Sequence, residues 1–471
     1  MRGLRSRFDP THEETRDSWP SSLWRDTNRR FHFQSPTVDP DCDVLVIGAG
    51  YTGLWTAHHL LELDPSLNIV IVDAVQPGWG ASGRNGGWCS GLLPMDLHTL
   101  AADCGEDAAR NLQHEMFRTV DQVGTFVRTG GIECGWQKGG TLTAAAGGAQ
   151  ETRLRREIDR SRKFVDEQDL RWMDGDELRS RLRVAGASGA MYTPHCAAVN
   201  PYRLVDGLVE SLVRRGVRVY GATRAARFGK GFVELEGESG LVFATAKEVV
   251  VCTEAYSARA ARTRRSVAPL YSYVVATDPL PASVREEIGW ANRETFAEGR
   301  NMVTYAQITA DGRIVFGGRG APYKFGSDVH SRHDTNDRVH RSIIDTMHSL
   351  FPAVRDVRIS HRWGGPVAVP RDWRVGVHFN KRTGCTHAGG YSGDGVALSH
   401  LTGRIVAHRI TGVPSDLLDL PVNEHRSRNW EPEPLRWAGI NSGLVLTKLQ
   451  DAVESRTGRE SRLLSAVGRL F

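Results

Sequence analysis

One feature constrains the fold of this chain more than any other. An apolar run at 43–47 (DVLVI) enters Gly48-Ala49-Gly50-Tyr51-Thr52-Gly53. A helical pattern follows at 54–63, then a second apolar, β-branched run at 69–72 that stops at Asp73. A strand must turn into a helix within two or three residues, which needs glycine where the backbone folds back and where helix and sheet meet. The helix N-terminus then presents N–H groups and a partial positive charge, a ready anion site. Asp73, 20 residues past Gly53, stands where a carboxylate accepts hydrogen bonds from a ribose. The unit predicts a parallel β-α-β nucleotide-binding fold with Gly48, Gly50, Tyr51, Thr52, Gly53 and Asp73 at a dinucleotide.

The remaining sequence limits what surrounds this unit. At 471 residues the chain is too long for one core, since single cores rarely pass roughly 250–300 residues. The net charge of +5, from 60 basic and 55 acidic residues, is too diffuse to favour nucleic acid. Seven cysteines, at 42, 89, 104, 134, 196, 252 and 385, form no CxxC pair, which argues against a metal site or a disulfide framework and for a reducing cytoplasm. No apolar run has the length of a membrane span. Residues 1–39, with Trp19, Trp24 and Phe31 among polar residues, read as an arm on the domain surface. Residues 40–95, 196–262 and 355–420 read as one discontinuous nucleotide-binding domain. Residues 96–195 and 263–354 read as an inserted substrate domain, and 421–471 as a C-terminal helical extension. Helices are expected at 103–129, 151–167, 201–215, 338–351 and 396–410.

Three further motifs carry chemistry. Gly80-Ala81-Ser82-Gly83-Arg84-Asn85-Gly86-Gly87-Trp88 comes immediately after the β-α-β unit. Its polar side chains and close-approaching backbone suit the polar edge of a bound ring or a phosphate. Val249-Val250-Val251-Cys252-Thr253-Glu254-Ala255-Tyr256 is a buried strand running into a turn, a second approach of the sheet to the ligand. Gly389-Gly390-Tyr391-Ser392-Gly393-Asp394-Gly395-Val396 opens a helix, and a helix N-terminus there would stabilise negative charge developing on a reduced flavin.

In this order the four motifs resemble the glycine/D-amino-acid oxidase (DAO) family of flavoenzymes. The 80–88 loop, the stretch 269–277 (PLYSYVVAT), Arg362-Trp363-Gly364-Gly365-Pro366 and the tail 429–434 (NWEPEP) are similar to its γ-glutamylputrescine oxidase-like branch. The resemblance implies an α/β fold, a Rossmann-like FAD-binding domain of the GR2 type with an inserted mixed-sheet α+β substrate domain. It implies an enzyme that oxidises the C–N bond of an amine or amino acid to an imine by hydride transfer to flavin N5. Water would hydrolyse the imine, and the electrons would pass to O2. A dehydrogenase with a quinone or protein acceptor, or a flavin-binding subunit without turnover, are the alternatives.

Carried over by motif, Gly48, Gly50, Gly53 and Asp73 hold the ADP half, Ala225 contacts adenine and Thr253 lies near the pyrophosphate. Ser82, Gly83, Arg84, Asn85, Gly86 and Gly87 hold the flavin end together with Gly393, Asp394, Gly395 and Val396. Two departures stand out. Ile314, Val315 and Phe316 occupy the strand on which sarcosine-oxidising relatives carry an oxygen-activating lysine. Neither Arg84 nor the stretch 367–376 offers a histidine or cysteine for a covalent flavin link, so non-covalent FAD is expected. Tyr271, Tyr273, Tyr305 and Trp363 are candidates for the substrate face, His195 for a base, and Arg300 or Arg319 for pairing a substrate carboxylate.

Overall fold

The computed structural model describes residues 22–28, 32–238, 240–259, 263–318, 320 and 322–461. Among them two eight-stranded sheets carry the architecture. The first sheet is built around the strand Asp41–Ile47, whose burial is complete at Leu45 and Val46 because both faces are covered by apolar layers. It pairs parallel with Ile69–Val72 on one side and Gly240–Val251 on the other. Outward from these lie Arg218–Tyr220, parallel to Ile69–Val72, and Cys385–Gly389, parallel to Gly240–Val251. The helices Tyr51–Leu63 and Gly395–Thr411 pack on one face through Leu54, Ala57, Leu398, Leu401 and Ile405. Their close crossing depends on Gly403, where a Cβ would come to 2.9 Å of the Thr56 nitrogen.

The second sheet runs in the order Ile359–Val369, Ala268–Thr277, Ile314–Gly318, Thr304–Ile308, Thr295–Glu298, Thr141–Ala144, Gly189–Thr193, Arg171–Asp174. Its pairs are antiparallel except for Thr295–Glu298 against Thr141–Ala144. The fold is thus the expected α/β flavoprotein type with a mixed second sheet.

Two details differ from expectation. The strand Ile359–Val369 pairs with Ala268–Thr277 in the second sheet, so residues 359–369 do not belong to the nucleotide-binding sheet expected to resume at 355. Gly364, Gly365 and Pro366 hide this strand's periodicity, and only its partner reveals it. The helix expected over 103–129 is two, Leu97–Cys104 and Glu106–Thr129, broken at Gly105 with φ +94°. Of the arm, Leu23 and Trp24 are buried beside Tyr202 and Trp363, while 1–21 and 29–31, with Trp19 and Phe31, lie outside the described residues, as does Arg319. The C-terminal extension is the helix Leu435–Thr457, preceded by a loop.

Candidate functional site

The glycine turn at 48–53 is compressed against its neighbours. Gly48 has φ +108°, and a Cβ there would lie 2.5 Å from the Cys252 carbonyl oxygen. A Cβ on Gly53 would lie 2.0 Å from the Gly48 carbonyl oxygen. Neither position admits a side chain, because backbone stands in its way. Gly50 is different: its Cβ would meet the Ser82 side chain, with Oγ at 2.9 Å, and otherwise open space. That is the opening a pyrophosphate needs. Ser82 Oγ also accepts from the Tyr51 N–H at 2.9 Å, so the second motif reaches the helix N-terminus of the first.

At the end of Ile69–Val72 the Asp73 carboxylate accepts from the Ala49 N–H and the Val75 N–H, both at 2.9 Å. Burial pushes its pKa up to about 6 against these two N–H groups. A carboxylate has about four acceptor sites, so two bonds leave capacity for a ribose. Ala225 lies on Thr223–Gly229, the strand that pairs with Phe232–Gly237. Thr253 Oγ1 is 2.7 Å from Ser257 Oγ, in the turn that follows Gly240–Val251.

Glu254 joins the third motif to the fourth. Its φ is +45°, and its carboxylate accepts from the Gly390 N–H at 2.8 Å and the Tyr391 N–H at 3.3 Å. Burial pushes its pKa up to about 7, with these N–H groups opposing. Tyr391 continues the link: its hydroxyl lies 2.8 Å from both Thr52 Oγ1 and Thr402 Oγ1. Gly393, φ +111°, and Asp394 lead into Gly395 and Val396, the start of the helix Gly395–Thr411. The first N–H groups of a helix have no partner within it and carry a partial positive charge, so this end could hold an anion.

The 80–88 loop is held by side chains from distant parts of the chain. Arg84, buried, donates to Asp334 at 2.7 Å, to the Gly364 carbonyl at 3.2 Å and to the Tyr256 hydroxyl at 3.0 Å. Burial works against its charge, and Asp334 with the nearby tyrosine oxygens outweighs burial and raises its pKa. Asn85 bonds within the loop, to the Ala81 and Ser82 carbonyls and the Gly87 N–H, while its own carbonyl accepts from Trp24 Nε1 at 2.8 Å. Gln307 Nε2 donates to the carbonyls of Gly86 and Gly87 at 2.8 and 3.0 Å and to that of Val199 at 3.1 Å. Three converging carbonyls fix which end of the amide is nitrogen. Gln307 Oε1 is then a buried acceptor with no partner among the described residues, beside the loop. Trp88 Nε1 donates to the Ala306 carbonyl at 3.0 Å.

Gly83 permits contact behind the loop, since a Cβ there would lie 2.2 Å from the Gly78 carbonyl. An open approach at Gly50, a part-satisfied carboxylate at Asp73, a helix N-terminus at Gly395 and an orphaned acceptor at Gln307 together fit FAD.

The candidates for the substrate side fall into two sets. Tyr305 is half-buried, with its ring over Gly86 and Gly317 and its hydroxyl 2.9 Å from Ser272 Oγ. Tyr271, Tyr273 and Trp363 are buried and use their polar atoms inside the protein. Tyr271 OH bonds to the His330 backbone at 3.2 Å, and Tyr273 OH donates to the His333 carbonyl at 2.6 Å. Trp363 Nε1 donates to the Arg84 carbonyl at 2.8 Å. His195 is stacked on Phe117 at 3.7 Å between centroids and bonded to Asp169 at 2.8 Å. Arg300 pairs with Glu298 at 2.5 Å.

Sequence reasoning missed Glu254, Tyr391 and Tyr256 as partners although it quoted their motifs, and missed Asp334 and Gln307 altogether. A charged residue in a turn after a buried strand was the available signal for Glu254. Asp334 and Gln307 lie 250 and 221 positions from the loop residues they hold, and no local pattern marks them.

A sheet with a parallel centre and a glycine-rich first turn, joined to a mixed second sheet through a glycine-rich loop, defines a nucleotide-binding flavoprotein oxidoreductase. Residues 43–409 match the family described as DAO, FAD dependent oxidoreductase, and the chain belongs to that family. It is 28% identical over 390 residues to gamma-glutamylputrescine oxidoreductase of Escherichia coli, covering 82% of this chain and 87% of that protein. It is 26% identical over 397 residues to the probable oxidoreductase OrdL of Haemophilus influenzae, covering 82% and 86%. Among solved structures, glycine oxidase from Bacillus cereus matches with a TM-score of 0.64 at 21% identity, over 81% of this chain and 98% of that one. The protein is an FAD-dependent oxidoreductase. None of its described helices is long and apolar enough to cross a membrane.

Proposed function

We propose that this enzyme oxidises the C–N bond of a small amine or amino acid to an imine, with non-covalent FAD as the immediate acceptor and O2 as the final one. The observation that carries the reading is the contact between the strand Thr304–Ile308 and the 86–88 loop. Tyr305, Ala306 and Gln307 all touch that loop, so the second sheet's aromatic and polar groups stand against the backbone that the family motif assigns to the flavin. The Escherichia coli relative, whose name gives γ-glutamylputrescine as its substrate, supports an amine as the substrate class.

When bound, the flavin supplies a two-electron acceptor at N5. The protein's part is to bind and orient. Tyr305 lines the substrate face, with Ser272 fixing its hydroxyl. The Arg84–Asp334 pair holds the loop, and the buried aromatic layer of Trp24, Tyr202 and Trp363 behind it keeps water from that side. The amine would bind uncharged with its α C–H towards that acceptor; loss of hydride would leave an iminium cation as the nitrogen lone pair closes the C=N bond, its N–H proton would pass to water, and water would hydrolyse the resulting imine.

The test is a panel of amines, polyamines, N-methyl and D-amino acids mixed anaerobically with the yellow protein. Loss of flavin colour with one class is expected, and failure with every class removes the proposal while leaving FAD binding intact. Peroxide release in air from the active class is expected for O2 as acceptor. Colour loss without peroxide assigns the electrons to a quinone or protein.

A further inference from the structure

The helix Leu435–Thr457 lies outside the residues that match the family, 43–409. Its polar contacts reach the helix Gly148–Ser161, through Arg153 on Glu454 at 2.7 Å, and the Arg264 carbonyl, through Arg436 at 3.0 Å, but the largest group falls on one target. The strands Thr304–Ile308 and Ile314–Gly318 form an antiparallel hairpin whose open end is the pair Thr304 and Gly318. This hairpin carries Tyr305 and Gln307 on one strand and Gly317, which lies under the Tyr305 ring, on the other.

The helix grips the chain at both sides of that open end. Just before Thr304, the Asp451 carboxylate accepts from the Asn301 N–H at 2.8 Å, the Met302 N–H at 2.9 Å and the Asn301 side-chain amide at 2.9 Å. Just after Gly318, Lys448 Nζ donates to the Gly320 carbonyl at 2.8 Å. Asn441 accepts from the Tyr323 N–H at 2.9 Å and donates to its carbonyl at 3.3 Å. Glu433, beside the helix start, takes the Tyr323 hydroxyl at 2.9 Å and the Gly326 N–H at 3.0 Å.

Few of these groups are needed to bury the helix itself. Its buried residues are Arg436 and Glu454, and Leu435, Val445 and Leu449 remain more than half exposed. A helix with so little apolar burial gains little from packing, and its attachment rests on polar contacts, of which those to the hairpin ends stand beside the Arg153–Glu454 pair and the Arg436 bond to the Arg264 carbonyl.

We propose that the C-terminal helix is a latch that positions the hairpin 304–318 against the flavin loop, with Asp451 as the principal positioning residue and Lys448 as the second. A carboxylate that closes three N–H bonds on two consecutive residues fixes where the strand begins. One strand turn later come Tyr305 over Gly86 and Gln307 under the Gly86 and Gly87 carbonyls. Loosening the latch lets the hairpin shift and changes the surroundings of the bound ring while the distant glycine turn at 48–53 stays in place. The effect on amine oxidation rests on the function proposed above, whereas the latch itself does not.

The test uses the full-length, FAD-loaded enzyme and the variants Asp451→Ala, Lys448→Met and the conservative Asp451→Asn. Hydrogen–deuterium exchange is followed for amides in 304–308 and 314–318, with strands 41–47 and 249–251 as internal references. In Asp451→Ala the hairpin amides are expected to exchange about tenfold faster or more, what losing one charge-assisted hydrogen bond of ordinary strength yields. The reference strands are expected to stay unchanged and the visible spectrum of the flavin to shift. Asp451→Asn, which retains one acceptor oxygen, is expected to fall between. Where Asp451→Ala does not retain FAD, Lys448→Met carries the same comparison with a smaller change. Unchanged hairpin exchange overturns the proposal. So does faster exchange spread equally over both sheets, which would make the helix a support of global stability only. Should no amine reduce the wild-type flavin, the proposed function fails and the exchange and spectral comparison still decides the latch.

Discussion

The two ends of the cofactor site are built by different means. At the 48–73 end, backbone does nearly everything: Gly48 and Gly53 exclude side chains, and Asp73 is set by two neighbouring N–H groups. At the 80–88 end, the loop is held by Arg84–Asp334, Gln307, Trp24 and Trp363, most of them far away in sequence. The first end is mostly local, with the Cys252 backbone as a distant neighbour of Gly48. The second is assembled by tertiary packing, and it is there that one member of the family can be made to differ from another.

Breaking the second end should have the largest effect. Arg84→Met leaves Asp334 buried without its partner, and removing one member of a buried pair costs about 3–5 kcal/mol. Chemical denaturation should show this loss, with FAD release. The double variant Arg84→Met/Asp334→Leu should recover part of it, because no unpaired charge remains. Equal losses in the single and double variants would mean that the pair does not hold the loop.

Breaking the first end calls for steric means. Gly53→Ala forces a Cβ into the Gly48 carbonyl and should cost about 3 kcal/mol and abolish FAD retention. Gly50→Ala should leave the apoprotein's melting temperature nearly unchanged and still weaken FAD, since its Cβ meets only Ser82. Equal effects from both would mean that packing and cofactor approach are not separated at these two glycines.

How much of this was legible follows from the same contrast. The four motifs, the helix at 201–214 and the parallel unit could be read because their periodicity and glycine spacing are local. Glu254 was visible as a residue but not as a link, since Gly390 and Tyr391, which it binds, lie 136 and 137 positions away. Strand 359–369 was assigned to the wrong sheet because glycine and proline mask its pattern and only its ten-residue partner, 268–277, reveals it. The substrate side stayed unread because burial and distant pairing decide the roles of Tyr271 and Trp363.

A smaller effect is expected from Gln307→Leu. Two loop carbonyls, of Gly86 and Gly87, and that of Val199 lose the amide as donor, at about 1–3 kcal/mol, and the loss should appear more strongly in FAD affinity than in the melting of the apoprotein. The reverse order would place Gln307 in the core rather than at the cofactor.

The smallest effect at neutral pH, and one that grows on acidification, comes from His58, His59 and His400. They sit on the two helices that start at the first and fourth motifs. Burial lowers the pKa of His58 from 6.5 to about 4 and those of His59 and His400 well below 6.5. Between pH 6.5 and 4 the unfolded chain takes up protons that the folded chain refuses. Stability present above pH 6.5 is therefore lost as pH falls through that window. Melting temperatures across this range should drop, and His400→Leu should flatten the slope. A profile identical to wild type would remove the cluster from the account.

The proposed function has this chain take hydride from the carbon next to a nitrogen. Anaerobic stopped-flow reduction of the FAD-loaded enzyme by the active amine, with hydrogen or deuterium at that carbon, tests it most directly. The account predicts that bleaching of the flavin is slowed by deuterium. Bleaching at equal rates with the two isotopes, or an enzyme reduced by dithionite and by no amine, would contradict it.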